Sequence, residues 1–389
     1  MGDFLERARE LHAAHPVVDS LAPNWDSEMY LSSAMVELAR SLQARGVSRS
    51  ALQNGLAEHL VEHVGRDAAL RDSYLDWWRR AGVAAASTSL LFSGPPSRAW
   101  EAVLGAIARS ERLLRGLGGA FVKALGPDDV ERAHREGRHA IVYNLQNADP
   151  IGDDLGRVDT LAGLGVRVVQ LTYNLRNLFG DGCVERVDGG LSRFGLALVE
   201  RLNALGLVVD TSHCSDRTTL DAVAASARPV AVTHAAARAL SGHPRAKPDD
   251  VLRRIAERGG YVGVVAMPAI LTPSGRDASV DTVVDHLLHL VDVCGAGAVG
   301  IGTDWGKPYY QAMRWSYAGV AESLRPGEFD WVGWLPEHHF DPNEQCRGFE
   351  TWDRWPRLTA RLLERGVPEP TVVGIVGGNF LRFWRDVTS

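Results

Sequence analysis

The stretch VVDTSHCSD, Val208–Asp216, decides the fold. An apolar, β-branched run of the kind found in buried strands stops abruptly at His213, and PVAVTHAAA, Pro229–Ala237, does the same at His234. Working outward, similar runs recur at Val17–Asp19, Ala84–Leu90, Ala140–Leu145, Val166–Thr172, Leu207–Thr211, Val230–Thr233, Tyr261–Ala266 and Val299–Gly302. Amphipathic stretches such as LSRFGLALVERLNALG lie between them. Near-continuous apolar strands covered by helices are what a parallel sheet requires. Eight such units predict the α/β class and a (β/α)8 TIM barrel, one domain over residues 1–389. Residues 27–80 read as a helical insertion after the first strand. Residues 305–350, rich in Trp, Pro and Gly, read as a lid-like loop region after the eighth.

Composition narrows the partners. The net charge is −6 and the 42 Lys and Arg are scattered, which argues against nucleic acid or an anionic membrane as partner. A small-molecule substrate is expected instead. The N-terminus, MGDFLERARELHAAH, has no apolar signal core, and no stretch reaches the roughly 18 uninterrupted apolar residues of a spanning helix. The expected location is cytoplasmic. Cys183, Cys214, Cys294 and Cys346 show no C-x-x-C spacing and read as small buried hydrophobes.

In a barrel of this kind the C-terminal strand ends share one mouth. The residues there are Asp19, Gln146, Tyr173, Asn174, His213, His234 and Asp304, the last in VGIGTDWG. A single histidine at a strand end is ordinarily a packed core residue. Two on consecutive strands, with an aspartate after the eighth, converge into a set that suits a divalent ion. The expected ligands are His213 and His234, with Asp304 or Gln146 as the third. Other constellations carry less. Ser212 and His213 are strand neighbours that point to opposite faces, so they form no nucleophile–base pair. GLGGAF and GIVGGN do not sit between a strand and a helix as a dinucleotide loop must. His286 and His289 share a helix face in DHLLHLV and read as a solvated or helix-packing face, and His338 and His339 lie in the loop PEHHFDP, from which they could swing into the mouth, although adjacent loop histidines ordinarily carry no such role.

At this point the chain resembles the membrane (renal) dipeptidases, peptidase family M19. The resemblance runs through HPVVDS, GVRVVQLTYN, GCVERVDGGLSRFG, LVVDTSHCSD, PVAVTHAAARALSGHPR, VGIGTDW and GGNFLRFW. It implies an amidohydrolase-type barrel, dimeric, with two glutamate-bridged zinc ions. It matches the two histidine ligands of one zinc to His213 and His234, the aspartate to Asp304, and the arginine that binds the substrate carboxylate to Arg245. The departures fall on chemistry. Where the family has Asp-Gly-His-Asn-Asp, this chain has Asp19-Ser20-Leu21-Ala22-Pro23. The bridging glutamate falls at Gln146 and the catalytic histidine at Tyr173. A neutral carboxamide is a poor bridge between two cations, so a two-ion site is not expected.

The reading that follows is a metal-dependent hydrolase with one divalent ion, zinc, acting on a small amide or amino-acid-derived substrate that carries a carboxylate. Asp304 activates water, Tyr173 donates to the oxyanion, Arg245 anchors the carboxylate and Asn174 contacts substrate. The Trp-rich stretch from Trp305 to Trp334 is expected to wall the mouth with apolar surface. Two alternatives remain open: a conventional zinc dipeptidase, and a barrel without catalysis that serves as a binding or partner protein.

Overall fold

A computed structural model describes residues 2–90, 96–308, 341 and 343–389. Among the described residues nine parallel strands form one sheet, eight of them a nearly closed barrel: β1 Val18–Ala22, β2 Ala85–Ser89, β3 Phe121–Lys123, β4 His139–Leu145, β5 Val166–Gln170, β6 Val208–Asp210, β7 Ala231–Ala235, β8 Tyr261–Val264 and β9 Val299–Ile301. Eight of them run in the order β1-β2-β4-β5-β6-β7-β8-β9, and β3 pairs on the side of β4. These eight are the runs marked by β-branched apolar residues. The short β3, with only three residues, is the one that periodicity misses. The insertion after β1 contains three helices, Ser33–Ala44, Arg49–His63 and Ala68–Ala81, each opened by a side-chain cap from Ser32, Ser48 and Asp67. Residues 309–340 and 342, which carry His338, His339 and most of the predicted lid, lie outside the described residues.

The outer helices follow the same logic. Helix Arg193–Ala204 opens where the Ser192 hydroxyl accepts from the Gly195 amide, and it buries Leu198, Val199 and Leu202 on one face. Each such aliphatic side chain contributes about 1.5–3 kcal/mol on full burial. Inside the barrel, Val18, Ala85, Ala140, Val142, Val168, Val208, Ala231 and Tyr261 form an apolar floor. Phe380, Phe383 and Trp384 of the helix Asn379–Thr388 join that cluster.

β1 and β9 are joined largely by side chains. The Ser20 hydroxyl lies 2.9 Å from the Ile301 carbonyl and 2.7 Å from that of Thr233. A Cβ at Gly263 or Gly302 would come within 2.8 Å of that hydroxyl and 2.1 Å of the Thr233 oxygen, so the closure admits only glycine at both. Asp19, one of the polar strand-end residues, does not face the mouth. Its carboxylate accepts from the Thr303 amide (2.9 Å) and hydroxyl (2.6 Å) and from the indoles of Trp352 (2.9 Å) and Trp355 (3.1 Å). Complete burial pushes its pKa up to about 6 in spite of these four donors. Replacing Asp19 with Ala would strand buried donors, each costing about 1–3 kcal/mol. Urea denaturation of Asp19→Ala should therefore show a loss of at least about 3 kcal/mol, with Asp19→Asn in between. A loss under about 1 kcal/mol would mean that other contacts hold the closure.

Candidate active site

The two histidines owe their position to a residue between them in space, Asp210 at the end of β6. Its Oδ1 accepts from the Ser212 amide (3.0 Å), the Ser212 hydroxyl (2.6 Å) and the Thr233 amide (3.1 Å), and its Oδ2 from the Thr233 hydroxyl (2.7 Å). One buried carboxylate thus ties the end of β6 to β7, the two elements that deliver His213 and His234. Asp210 was not singled out from the sequence. The available signal was an ionisable group inside a valine strand, a position that is costly unless fully hydrogen-bonded.

The hydrogen bonds fix both tautomers. The Asn174 Oδ1 can only accept, so at 2.6 Å it takes the proton of His213 Nδ1. The Thr233 hydroxyl gives its proton to Asp210 and therefore accepts from His234 Nδ1 at 2.9 Å. Both Nε2 atoms are left as bare lone pairs, and they face each other 2.9 Å apart. Burial, and then the Arg245 charge, hold both imidazoles well below their usual pKa, so they stay neutral. Two opposed lone pairs repel unless a donor or a cation lies against them. Here the Gln146 Nε2 lies 3.2 Å from His234 and 3.5 Å from His213, while its Oε1 accepts from the Ser89 hydroxyl at 2.6 Å.

The two bare imidazole nitrogens are the atoms of this set that could hold one divalent ion. Each imidazole has its distal nitrogen anchored by a neighbour, as ligating histidines usually do, and Gln146 borders the same point with a carboxamide. The set does not fit two. Leu21 and Pro23 offer no ligand atoms in their side chains, and among the described residues no three His, Cys, Asp or Glu side chains converge as a metal-holding group.

Around the pair, Tyr173 stacks on His213 with ring centroids 4.1 Å apart and 19° between planes. Asn174 is wholly buried behind the same ring. Arg245 is only 1% exposed, so it is not a surface arginine paired with Asp249 or Asp250; Asp249 instead meets His289 at 2.9 Å. Its Nη2 donates to the His234 carbonyl at 2.8 Å. Among the described residues its Nε and Nη1 have no hydrogen-bond partner. Burial lowers the proton affinity of this guanidinium, and the nearest offsetting groups are Cys183, Tyr173 and Asp304. The carboxylate of Asp304 does not form part of the histidine cluster. Its backbone adopts φ +48° with the amide donating to the Leu21 carbonyl at 2.8 Å, and its Oδ1 lies 3.7 Å from the Lys307 ammonium. His286, expected to pack, does so, with its Nε2 2.8 Å from the Leu271 carbonyl. Lys307, Glu28 and Lys247 were not flagged in the sequence. Lys247 is fully buried, its ammonium donating to the Cys214 carbonyl and to the Thr219 hydroxyl.

Comparison with known proteins gives the family. The chain is 33% identical over 225 residues to an uncharacterized dipeptidase of Schizosaccharomyces pombe, covering 57% of this chain and 47% of that one. It is 29% identical over 262 residues to dipeptidase tcpJ of Claviceps purpurea, covering 67% and 54%. The chain thus spans about half the length of the curated relatives it matches. An amidohydrolase structure from Pseudomonas aeruginosa superposes with a TM-score of 0.73 at 27% identity, covering 98% of each chain. The family described as Membrane dipeptidase (Peptidase family M19) matches residues 5–313. With the barrel and this match in agreement, the chain belongs to the membrane dipeptidase family of hydrolases, peptidase family M19.

Proposed function

We propose that this chain hydrolyses a small amide or amino-acid-derived substrate bearing a free carboxylate, with one divalent ion, zinc, held by His213 and His234 and bordered by Gln146. The observation that carries the reading is the buried guanidinium of Arg245 beside the histidine pair, two of whose nitrogens have no partner among the described residues. A planar fork of donors kept out of water is costly unless an anion completes it, and a carboxylate matches it bidentately. When bound, the ion supplies Lewis-acid polarisation and lowers the pKa of a water molecule. The remaining work falls to the chain. Arg245 orients the substrate by its carboxylate. Asp304 accepts the proton of the attacking water and returns it to the leaving amine. Tyr173, its ring fixed against His213, donates its phenolic hydrogen to the developing oxyanion. Asn174 holds the His213 tautomer and meets substrate only through that ring. Simple dipeptides such as Gly-Leu are expected to be poor substrates, because the neutral Gln146 and Tyr173 replace two groups of the dipeptidase machinery.

Three measurements test this reading. Isothermal titration with a phosphinate analogue of a dipeptide should show binding that weakens about 100-fold in Arg245→Ala, the loss of one bidentate charge-assisted contact worth about 2.7 kcal/mol. Unchanged affinity would remove Arg245 from the site. Asp304→Asn should lower turnover of a cleaved substrate by about 10²-fold or more, with the unfolding midpoint unaltered. Asn tolerates the left-handed backbone of this position but cannot take a proton near neutral pH; near-normal turnover would exclude Asp304 as the proton acceptor. Elemental analysis of zinc-saturated, desalted protein should return about one ion per chain, and none in His213→Ala or His234→Ala. Retention of the ion in both variants would place it elsewhere.

A further inference from the structure

The segment after β1 returns over the mouth with a carboxylate. Glu28 is 4% exposed, and both its oxygens are held: Oε2 accepts from the Asn24 amide at 3.1 Å and Oε1 from Gln53 Nε2 at 2.6 Å. From the other side, six residues past β9, comes Lys307, 5% exposed. Its ammonium lies 3.1 Å from Glu28 Oε2, 3.7 Å from Asp304 Oδ1 and 5.0 Å above the Trp305 ring. Lysine normally keeps its charge in water. Burial of this one is compensated by two carboxylates and an indole face.

We propose that the ammonium of Lys307 is a built-in cation of the mouth, occupying the place between Glu28 and Asp304 that a second divalent ion would take and keeping that ion out. The argument rests on what the ammonium holds apart. Without it, Glu28 and Asp304 would lose the cation that lies between them, and a proton or another cation would ease the repulsion of two neighbouring carboxylates. Glu28 cannot swing clear, because two donors fix it. The amide of Asp304 is tied to the Leu21 carbonyl of β1, which keeps its backbone beside Lys307. The donors are all oxygens, which suits a hard ion that retains part of its water shell, Mg²⁺ or Mn²⁺, over one that prefers nitrogen and sulfur. This side of the mouth is also where the resemblance to the family places first-strand metal ligands, at Leu21 and Pro23, which have no donor atoms in their side chains. A tethered ammonium restores one unit of positive charge there without a binding equilibrium. The proposal concerns ion count alone, so it stands or falls independently of the hydrolase reading.

Mn²⁺ binding to the full chain, followed by equilibrium dialysis and by loss of the free-ion paramagnetic resonance signal, provides the test. Lys307→Met should take up one more Mn²⁺ per chain than the wild type. Lys307→Arg should match the wild type, and Lys307→Met with Glu28→Gln should lose the added ion. An unchanged count in a folded Lys307→Met, judged by circular dichroism, would overturn the proposal. So would an added ion that survives Glu28→Gln. If the Met variant does not fold, Lys307→Gln carries the same expectation. A wild-type count of two at saturating Mn²⁺ would overturn the proposal without any variant.

Discussion

The closure between the first and last strands is the constraint on which the rest of this molecule depends. A parallel barrel must join its ends without the hairpins that pin antiparallel sheets. Here one hydroxyl and one carboxylate from adjacent positions do much of that work. Ser20 reaches inward to carbonyls of β7 and β9, and Asp19 reaches outward to Thr303 and to two tryptophans that follow β9 in the chain. The same closure carries Asp304, whose amide bonds to Leu21. The left-handed backbone of that residue is a local strain that the surrounding contacts stabilise. Fold and candidate chemistry therefore share one set of bonds.

Charge organises the mouth in a second way. Arg245 and Lys247 are both fully buried, close to two imidazoles whose neutrality is enforced by burial and by those cations. Neutral imidazoles with anchored Nδ1 protons present lone pairs inward, and a buried positive field favours an anionic partner. Asp210 offsets part of this field from below while holding the two histidine strands together. Its four hydrogen bonds explain how a carboxylate can lie among valines without a cationic partner in contact.

The chain keeps the architecture of its family and alters the charges within it. Gln146 puts a neutral carboxamide against the two histidines, and Lys307 puts a fixed cation among carboxylates on the far side of the mouth. Both changes act on the electrostatics of a low-dielectric space, where removing one charge is felt strongly.

The eight barrel strands and the two histidines were legible in the amino-acid sequence, because β-branched runs and their abrupt polar ends are local patterns. That Leu21 and Pro23 bring no donor atoms was legible as well, since Leu and Pro side chains carry none wherever they fold. Other features required the tertiary structure. Asp19 reads as a mouth residue until the closure turns it toward Trp352 and Trp355, hundreds of positions away. Arg245 is matched to a carboxylate-binding arginine by resemblance alone, and only the fold shows it buried with two nitrogens that have no partner among the described residues. Lys307 and Glu28 meet across most of the chain length, and nothing in either segment announces the pairing. Strand identity is set by neighbours in sequence. Burial, tautomer and ion pairing are set by whatever the barrel brings alongside, and only the closed fold decides that.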